Sequence, residues 1–218
     1  GSVGHYLVTA GTLGGFVRLR KDQSVHILSN NHVLANENNA KTGDPILQPG
    51  TYDGGKKPKD LVAKLSAYVR IKKKGINMVD AALAALEDRI AYHPAEFTGL
   101  GTLLGLRTDL VDEGEEVSKI GRTTGLTRGR VTAFELDDVN VGFDAGVGRF
   151  DGQLEIEGIG NAPFSDSGDS GSLILDRNCL AVGLLFAGSD QGGANGQGLT
   201  FANPMPTVLD ALGADLLV

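Results

Sequence analysis

The run Asp166-Ser167-Gly168-Asp169-Ser170-Gly171-Ser172 is too small and polar for a core strand, and it leads directly into the apolar Leu173-Ile174-Leu175. A serine set between glycines can expose its hydroxyl while neighbouring backbone N–H groups point at an incoming oxygen. Those are two needs of acyl transfer: a nucleophile, and donors for the negative charge it creates. Taken alone, a Gly/Ser/Asp cluster is an ordinary turn. A serine hydroxyl is also a poor nucleophile near neutral pH, so it needs a base, and imidazole titrates in the right range. The imidazole must in turn be held in one tautomer, usually by a buried carboxylate. The chain offers one of each at strand ends or in turns: His32, Asp80 and Ser170. His26 sits inside an apolar run, His93 precedes Pro94, and His5 lies near the terminus, so each fits the role less well.

Metal chemistry has weaker support. His26 and His32 lack a third ligand at suggestive spacing, and Asp137, Asp138, Asp144 and Asp151 lack the regular calcium-loop pattern. No metal and no cofactor is expected.

The 218 residues suffice for one large or two small packed units, and 32 glycines favour many turns over long helices. With 6% aromatic residues and no Trp, the core must be built from Val, Leu, Ile and Ala. A net charge of -7 argues against a nucleic-acid partner, for which basic clustering is expected. The basic residues Lys56, Lys57, Lys59, Arg70, Lys72, Lys73 and Lys74 read as a solvated strand edge and loop. No apolar stretch reaches membrane-spanning length, so no membrane partner is expected. One cysteine, Cys179, forbids an intrachain disulfide and fits a reducing, cytoplasmic compartment, with secretion left open. Gly1-Ser2 reads as a tag remnant on a fragment of a longer parent.

The elements that must position these residues are short strands. Tyr6-Leu7-Val8, Phe16 to Leu19, Val25 to Leu28, Ile46 to Gln48 and Leu61 to Ile71 form the first set. The segment 77–86 is alanine-rich and favours helix by propensity, but its neighbours favour a strand, which is the expectation taken. Residues 94–112 read as a linker. A second set follows: 117–120, 130–135, 139–143, 153–157, 173–175, 181–186 and 198–202. Short strands at regular spacing imply antiparallel barrels or sandwiches. After Asn203-Pro204, the spacing of Val208, Leu209, Leu212 and Leu216 predicts a terminal helix.

These motifs resemble the chymotrypsin-like serine proteases, of the disulfide-poor bacterial kind, over nearly the whole chain. Ser29-Asn30-Asn31-His32-Val33-Leu34 is similar to the family's histidine motif, and Val79-Asp80-Ala81-Ala82-Leu83 to its aspartate segment. Gly168-Asp169-Ser170-Gly171-Ser172 matches the nucleophile motif Gly-Asp-Ser-Gly-Gly, with Ser172 replacing the last glycine. Gly121-Arg122-Thr123-Thr124-Gly125 resembles a turn of alpha-lytic protease and the streptogrisins. The order His, Asp, Ser, with gaps of 48 and 90 residues, fits this family and neither subtilisins nor α/β-hydrolases.

The resemblance implies an all-β fold of two antiparallel six-stranded β-barrels packed together, with a C-terminal helix. Residues 5–105 would form the barrel carrying His32 and Asp80, residues 112–203 the barrel carrying Ser170, and residues 204–218 the helix. It implies a serine endopeptidase acting on polypeptides through His32, Asp80 and Ser170, with Gly168 and Ser170 N–H groups as the oxyanion hole. Substrate would be walled by Phe164, Ser165, Asp166, Ser167, Phe186, Ala187, Gly188 and Leu199. Phe164 falls where trypsins carry aspartate, which implies small or medium apolar side chains as the preferred substrate residues. Asp169 would take an internal basic partner, Arg122 or another internal group. Two alternatives stand beside this: a catalytically silent peptide-binding module, and a protease domain needing a regulatory partner or processing. An esterase without peptidase activity is a third.

Overall fold

The computed structural model describes all of residues 1–218 except 8 and 9. Of the Tyr6-Leu7-Val8 run, Val8 therefore lies outside the described residues, while Tyr6 and Leu7 form a turn.

The N-terminal half is one eight-stranded sheet. Its order is Gly11–Thr12, Ser2–His5, Pro45–Leu47, Leu61–Tyr68, Ala82–Leu86, Val25–Ser29, Gly15–Leu19 and Ala214–Leu216. The alanine-rich segment does form a strand, Ala82–Leu86, hydrogen-bonded on both sides. Its side chains alternate between two apolar clusters, Leu83 in one and Ala82 with Ala84 in the other. Period-2 burial on both faces outweighs the few tenths of a kcal/mol by which alanine favours helix (roughly 0.5 per residue).

The C-terminal half closes. Leu180–Ser189, Leu173–Asp176, Glu116–Gly121, Gly125–Leu136, Gln153–Gly158 and Leu199–Pro204 pair in sequence, and Leu199–Pro204 returns to Leu180–Ser189. The ten-residue strand Leu180–Ser189 makes closure possible. It pairs with both neighbours and has a bulge between Leu185 and Ala187 that bends it. Gly105–Leu106 adds outside this ring, parallel to Leu180 and Ala181.

The expectation of two six-stranded barrels is therefore corrected: one six-stranded barrel is closed, and the other half is an open eight-stranded sheet. The physical reason lies at the sheet's two edges. Ser2–His5 pairs with the two-residue strand Gly11–Thr12, while Ala214–Leu216 comes back from the C-terminus to pair with Leu19, Arg18 and Val17. Among the described residues no pairing joins these two edge strands. The terminal helix is Met205–Leu212, stopped at Gly213 in the left-handed region (φ 61°), so Leu216 lies on a strand.

A hairpin, Val139–Phe143 with Gly146–Phe150, crosses between the halves, because Arg149 and Phe150 pair in parallel with Ile76 and Asn77. Two acidic residues that flank it meet a cation: Arg149 pairs with Asp138 and Asp151 at 2.9 and 3.1 Å.

Candidate active site

His32 lies in a one-turn helix, Asn31–Leu34, that follows the strand Val25–Ser29. Asp80 lies just before the strand Ala82–Leu86 and is fully buried. The two meet with His32 Nδ1 2.5 Å from Asp80 Oδ2. Asp80 Oδ1 accepts the backbone N–H of Asn31 at 2.7 Å and of His32 at 3.3 Å. With Nδ1 donating to the carboxylate, the Nε2 lone pair is the one left to accept a proton. Burial pushes the imidazole pKa down, but the charge and hydrogen bond of Asp80, with Glu37 adding to them, outweigh burial. The net result lies above the ordinary histidine value.

The segment holding Asp80 is anchored from the other half of the molecule. Its backbone N–H donates to Asn203 Oδ1 at 2.9 Å, Asn203 Nδ2 donates to Gln153 Oε1 at 2.6 Å, and Gln153 Nε2 donates to Met78 O at 2.9 Å. Asn30 Nδ2 closes the other side by donating to Asp80 O at 2.7 Å. Asn203, Gln153 and Asn30 are all fully buried. Residue type and spacing alone give none of the three this anchoring role.

Ser170 sits in the turn between residue 164 and the strand Leu173–Asp176, and its surroundings are almost fully hydrogen-bonded. Thr123 Oγ1 donates to Ser167 O at 2.6 Å, and Thr12 Oγ1 to Gly168 O at 3.0 Å. Ser172 donates to Asp169 O from its hydroxyl at 2.6 Å and its amide at 3.0 Å. The Thr12 amide donates to Ser170 O at 2.8 Å. The amides of Asp169 and Gly171 donate to Asp166 O and Leu185 O. The amides of Gly168 and Ser170 donate to nothing among the described residues. Gly168 has φ 96°, a conformation in which a Cβ would also stand 2.6 Å from Thr123 Oγ1.

Asp169 turns inward to Lys119, both fully buried, with Lys119 Nζ donating to Asp169 Oδ2 at 2.9 Å. Thr124 Oγ1 donates to the same carboxylate at 2.6 Å, as do the amides of Thr123, Thr124 and Asp166. Burial alone would raise the Asp169 pKa; the Thr124 hydroxyl, Lys119 and the Thr123 amide together bring it below the ordinary carboxylate value. Arg122 is therefore not the partner of Asp169. It is held by Asp53, at 2.6 and 2.7 Å.

His32, Gly168 and Ser170 line one cavity of about 210 Å³ with Ala10, Gly11, Val33 and Ser167. Ser170 Oγ makes no hydrogen bond to His32 among the described residues. Two further cavities share residues with it. One, of about 140 Å³, is lined by Ser165, Asp166, Ser167, Ser170, Leu185, Ala187, Gly188, Ser189, Asp190 and Leu199. The other, of about 740 Å³, runs past Ala10, Ser167 and Gly168 to Arg122, Thr123, Tyr52 and Asp53. Ser165, Asp166, Ser167, Ala187, Gly188 and Leu199 are thus brought beside Ser170. Phe164 and Phe186 are not: Phe164 (1% exposed) packs with Val117, Val131 and Ile156, and Phe186 (2%) with Phe150 and Val139. Ser165 Oγ and Thr200 Oγ1 are 2.7 Å apart, which ties the wall of the smaller cavity to the strand Leu199–Pro204.

The fold is the chymotrypsin-like bacterial serine-protease fold, of the alpha-lytic protease and streptogrisin type, in a chain with a single cysteine. The solved structures it resembles include Nocardiopsis protease (TM-score 0.67, 15% identity, covering 100% of this chain and 96% of that one). The alpha-lytic protease homolog N4 gives a TM-score of 0.66 at 19% identity, covering 99% and 96%. Thermobifida fusca protease A gives 0.64 at 16%, covering 100% and 96%. No protein-family model matches the chain, and no curated protein matches it in sequence. No helix among the described residues is long and apolar enough to cross a membrane.

Proposed function

We propose that this chain is a serine endopeptidase in which Ser170 is the nucleophile, His32 the general base and Asp80 the group that orients and charges the imidazole. One observation carries the reading. One cavity is lined by Ser170, by His32, whose Nδ1 is 2.5 Å from a buried carboxylate, and by Gly168, whose N–H, like that of Ser170, has no acceptor among the described residues. In sequence, Ser170 Oγ attacks the peptide carbonyl while His32 Nε2 takes its proton. The oxyanion is received by the N–H groups of Gly168 and Ser170, His32 protonates the leaving amine, and water repeats the cycle on the acyl-enzyme.

The side chain of the substrate enters the 140 Å³ cavity. With Phe164 packed in the core, Ser165, Ser189, Asp166 and Asp190 give the wall polar groups beside Leu185, Ala187 and Leu199, and neither of these carboxylates has an ion-pair partner among the described residues. This supports a polar or cationic residue ahead of an apolar one. A second reading, a protease domain that needs a partner or processing, is favoured by the missing hydrogen bond between Ser170 and His32. Such bonds are commonly long before substrate arrives, so the first reading stands.

The test is fluorophosphonate labelling and a peptide-library cleavage profile of the wild type beside Ser170→Ala. Labelling and cleavage by the wild type alone are expected. Cleavage that survives in Ser170→Ala, or a wild type that neither labels nor cleaves, overturns the assignment.

A further inference from the structure

The Gly168 and Ser170 N–H groups, which have no acceptor among the described residues, each belong to a peptide unit whose carbonyl is bonded, and a trans peptide sets its C=O and N–H on opposite sides. The Gly168 N–H belongs to the unit whose oxygen is Ser167 O, and that oxygen is held by Thr123 Oγ1 at 2.6 Å. The Ser170 N–H belongs to the unit whose oxygen is Asp169 O, which is held by both the hydroxyl and the amide of Ser172. The two units are not equally secured. The Asp169–Ser170 unit has two donors from a fully buried residue. The Ser167–Gly168 unit has one donor, from an exposed side chain, and it joins onto a glycine that can adopt several backbone states.

Rotation of the Ser167–Gly168 unit by half a turn would withdraw the Gly168 N–H and present Ser167 O, a negative end, to the place where negative charge must develop. We propose that Thr123 is a positioning residue: its hydroxyl holds Ser167 O outward and so keeps the Gly168 N–H directed at the oxyanion. The inference rests on the endopeptidase reading and adds a residue to it. The neighbouring structure fits this role. The Thr123 amide is fixed to Asp169 Oδ1 at 2.7 Å, so the backbone of the positioning residue is tied to the turn it positions. The following unit is locked separately, by Thr12 on Gly168 O and by Asp166 O on the Asp169 amide, so the freedom left to the turn lies in one peptide.

The loss expected is smaller than deletion of a donor, because the N–H remains and only its orientation is released. One hydrogen bond sets the scale, which corresponds to about three- to ten-fold in rate. Thr123→Val and Thr123→Ala remove the hydroxyl, and Thr123→Ser keeps it. Three quantities are measured on each: kcat and KM for a peptide substrate, and inhibition by a peptidyl trifluoromethyl ketone, whose adduct carries an oxyanion. Both hydroxyl-less variants should lose kcat and ketone affinity by the same factor, with KM unchanged, and Thr123→Ser should restore both. An active wild type with kcat and ketone affinity unchanged in Thr123→Val or Thr123→Ala overturns this inference and leaves the endopeptidase reading intact. A loss confined to KM, or one that Thr123→Ser does not restore, overturns it as well. A wild type that neither cleaves peptide nor binds the ketone overturns both.

Discussion

Replacing Lys119 by methionine tests how the turn around Ser170 is held, independently of any catalytic role. The ammonium is fully buried at 2.9 Å from an equally buried Asp169 carboxylate. Removing one member of a buried pair leaves an uncompensated charge, at a cost of roughly 3–5 kcal/mol. Asp169 would keep four donors after the substitution: Thr124 Oγ1 and the amides of Thr123, Thr124 and Asp166. Hydrogen bonds to a charged group contribute about 1.5–3 kcal/mol each, so those retained hold the loss near the lower bound, about 3 kcal/mol. Methionine matches the lysine stem in length, which keeps the cavity term small.

The pH dependence follows from the same carboxylate. In the wild type its folded pKa is depressed, so it adds stability above the unfolded carboxylate range, and that stability is lost as pH falls through the folded value. Without the ammonium, burial is less strongly opposed and the folded pKa moves up. The penalty of Lys119→Met should therefore be full at pH 7.5 and shrink as pH falls through the raised folded pKa of the variant's Asp169. Urea unfolding followed by far-UV circular dichroism measures it, since the chain has no Trp to report by fluorescence. In Lys119→Met with Asp169→Asn the loss should fall short of the sum of the two single changes. A loss below about 1 kcal/mol at pH 7.5 refutes the reasoning, because the buried ion pair would then not hold the turn.

Three further outcomes are expected. The rate of Ser170 labelling by a fluorophosphonate should fall as pH drops through the raised pKa of His32, with its midpoint above that of a free histidine; a midpoint below it contradicts the Asp80 contact. Asp80→Asn should cut kcat by about four orders of magnitude, since an amide cannot stabilise the imidazolium and favours the wrong tautomer, and a loss under ten-fold in peptide hydrolysis would contradict the geometry. Gly121→Ala should destabilise by about 2 kcal/mol or more, because a Cβ there meets the Asp169 carboxylate and overpacks a buried site; an unchanged urea midpoint would exclude that contact.

How far the sequence led depended on where each residue sits relative to a pattern. His32, Asp80 and Ser170 occupy turns or strand ends, where residue type carries chemistry and little else competes with it. The strand after Asp80 had to be read against alanine's helix preference, and long-range pairing with Val25–Ser29 and Leu61–Tyr68 decides it. The open N-terminal sheet was not legible, because its edges are a Gly-Thr pair and a three-residue return from the C-terminus, both too short to alternate. Phe164 was assigned to a pocket wall by resemblance, one position from Ser165. A slip of one residue exchanges the two faces of an extended segment, and the structure gives Ser165 to the cavity and Phe164 to the core.

Lys119, more than the neighbouring Arg122, carries a pattern that names its partner. Along Glu116–Gly121 the buried positions are Val117, Lys119 and Gly121, every second residue. A lysine on the inward face of a barrel strand cannot remain without a carboxylate, and the nucleophile turn carries an aspartate beside the serine. The glycine two residues on is the space that aspartate needs, since a Cβ at Gly121 would meet both Asp169 and the Lys119 ammonium. Strand period, buried charge and the missing side chain thus name the same partner. The arginine, in the turn just past the strand's end, is left to Asp53. The threonines escape this kind of reading, because Thr12 and Thr123 act through hydroxyls on carbonyls 156 and 44 positions away: the first contact is set by the docking of the two sheets, the second by two turns of one barrel, and neither by any local period.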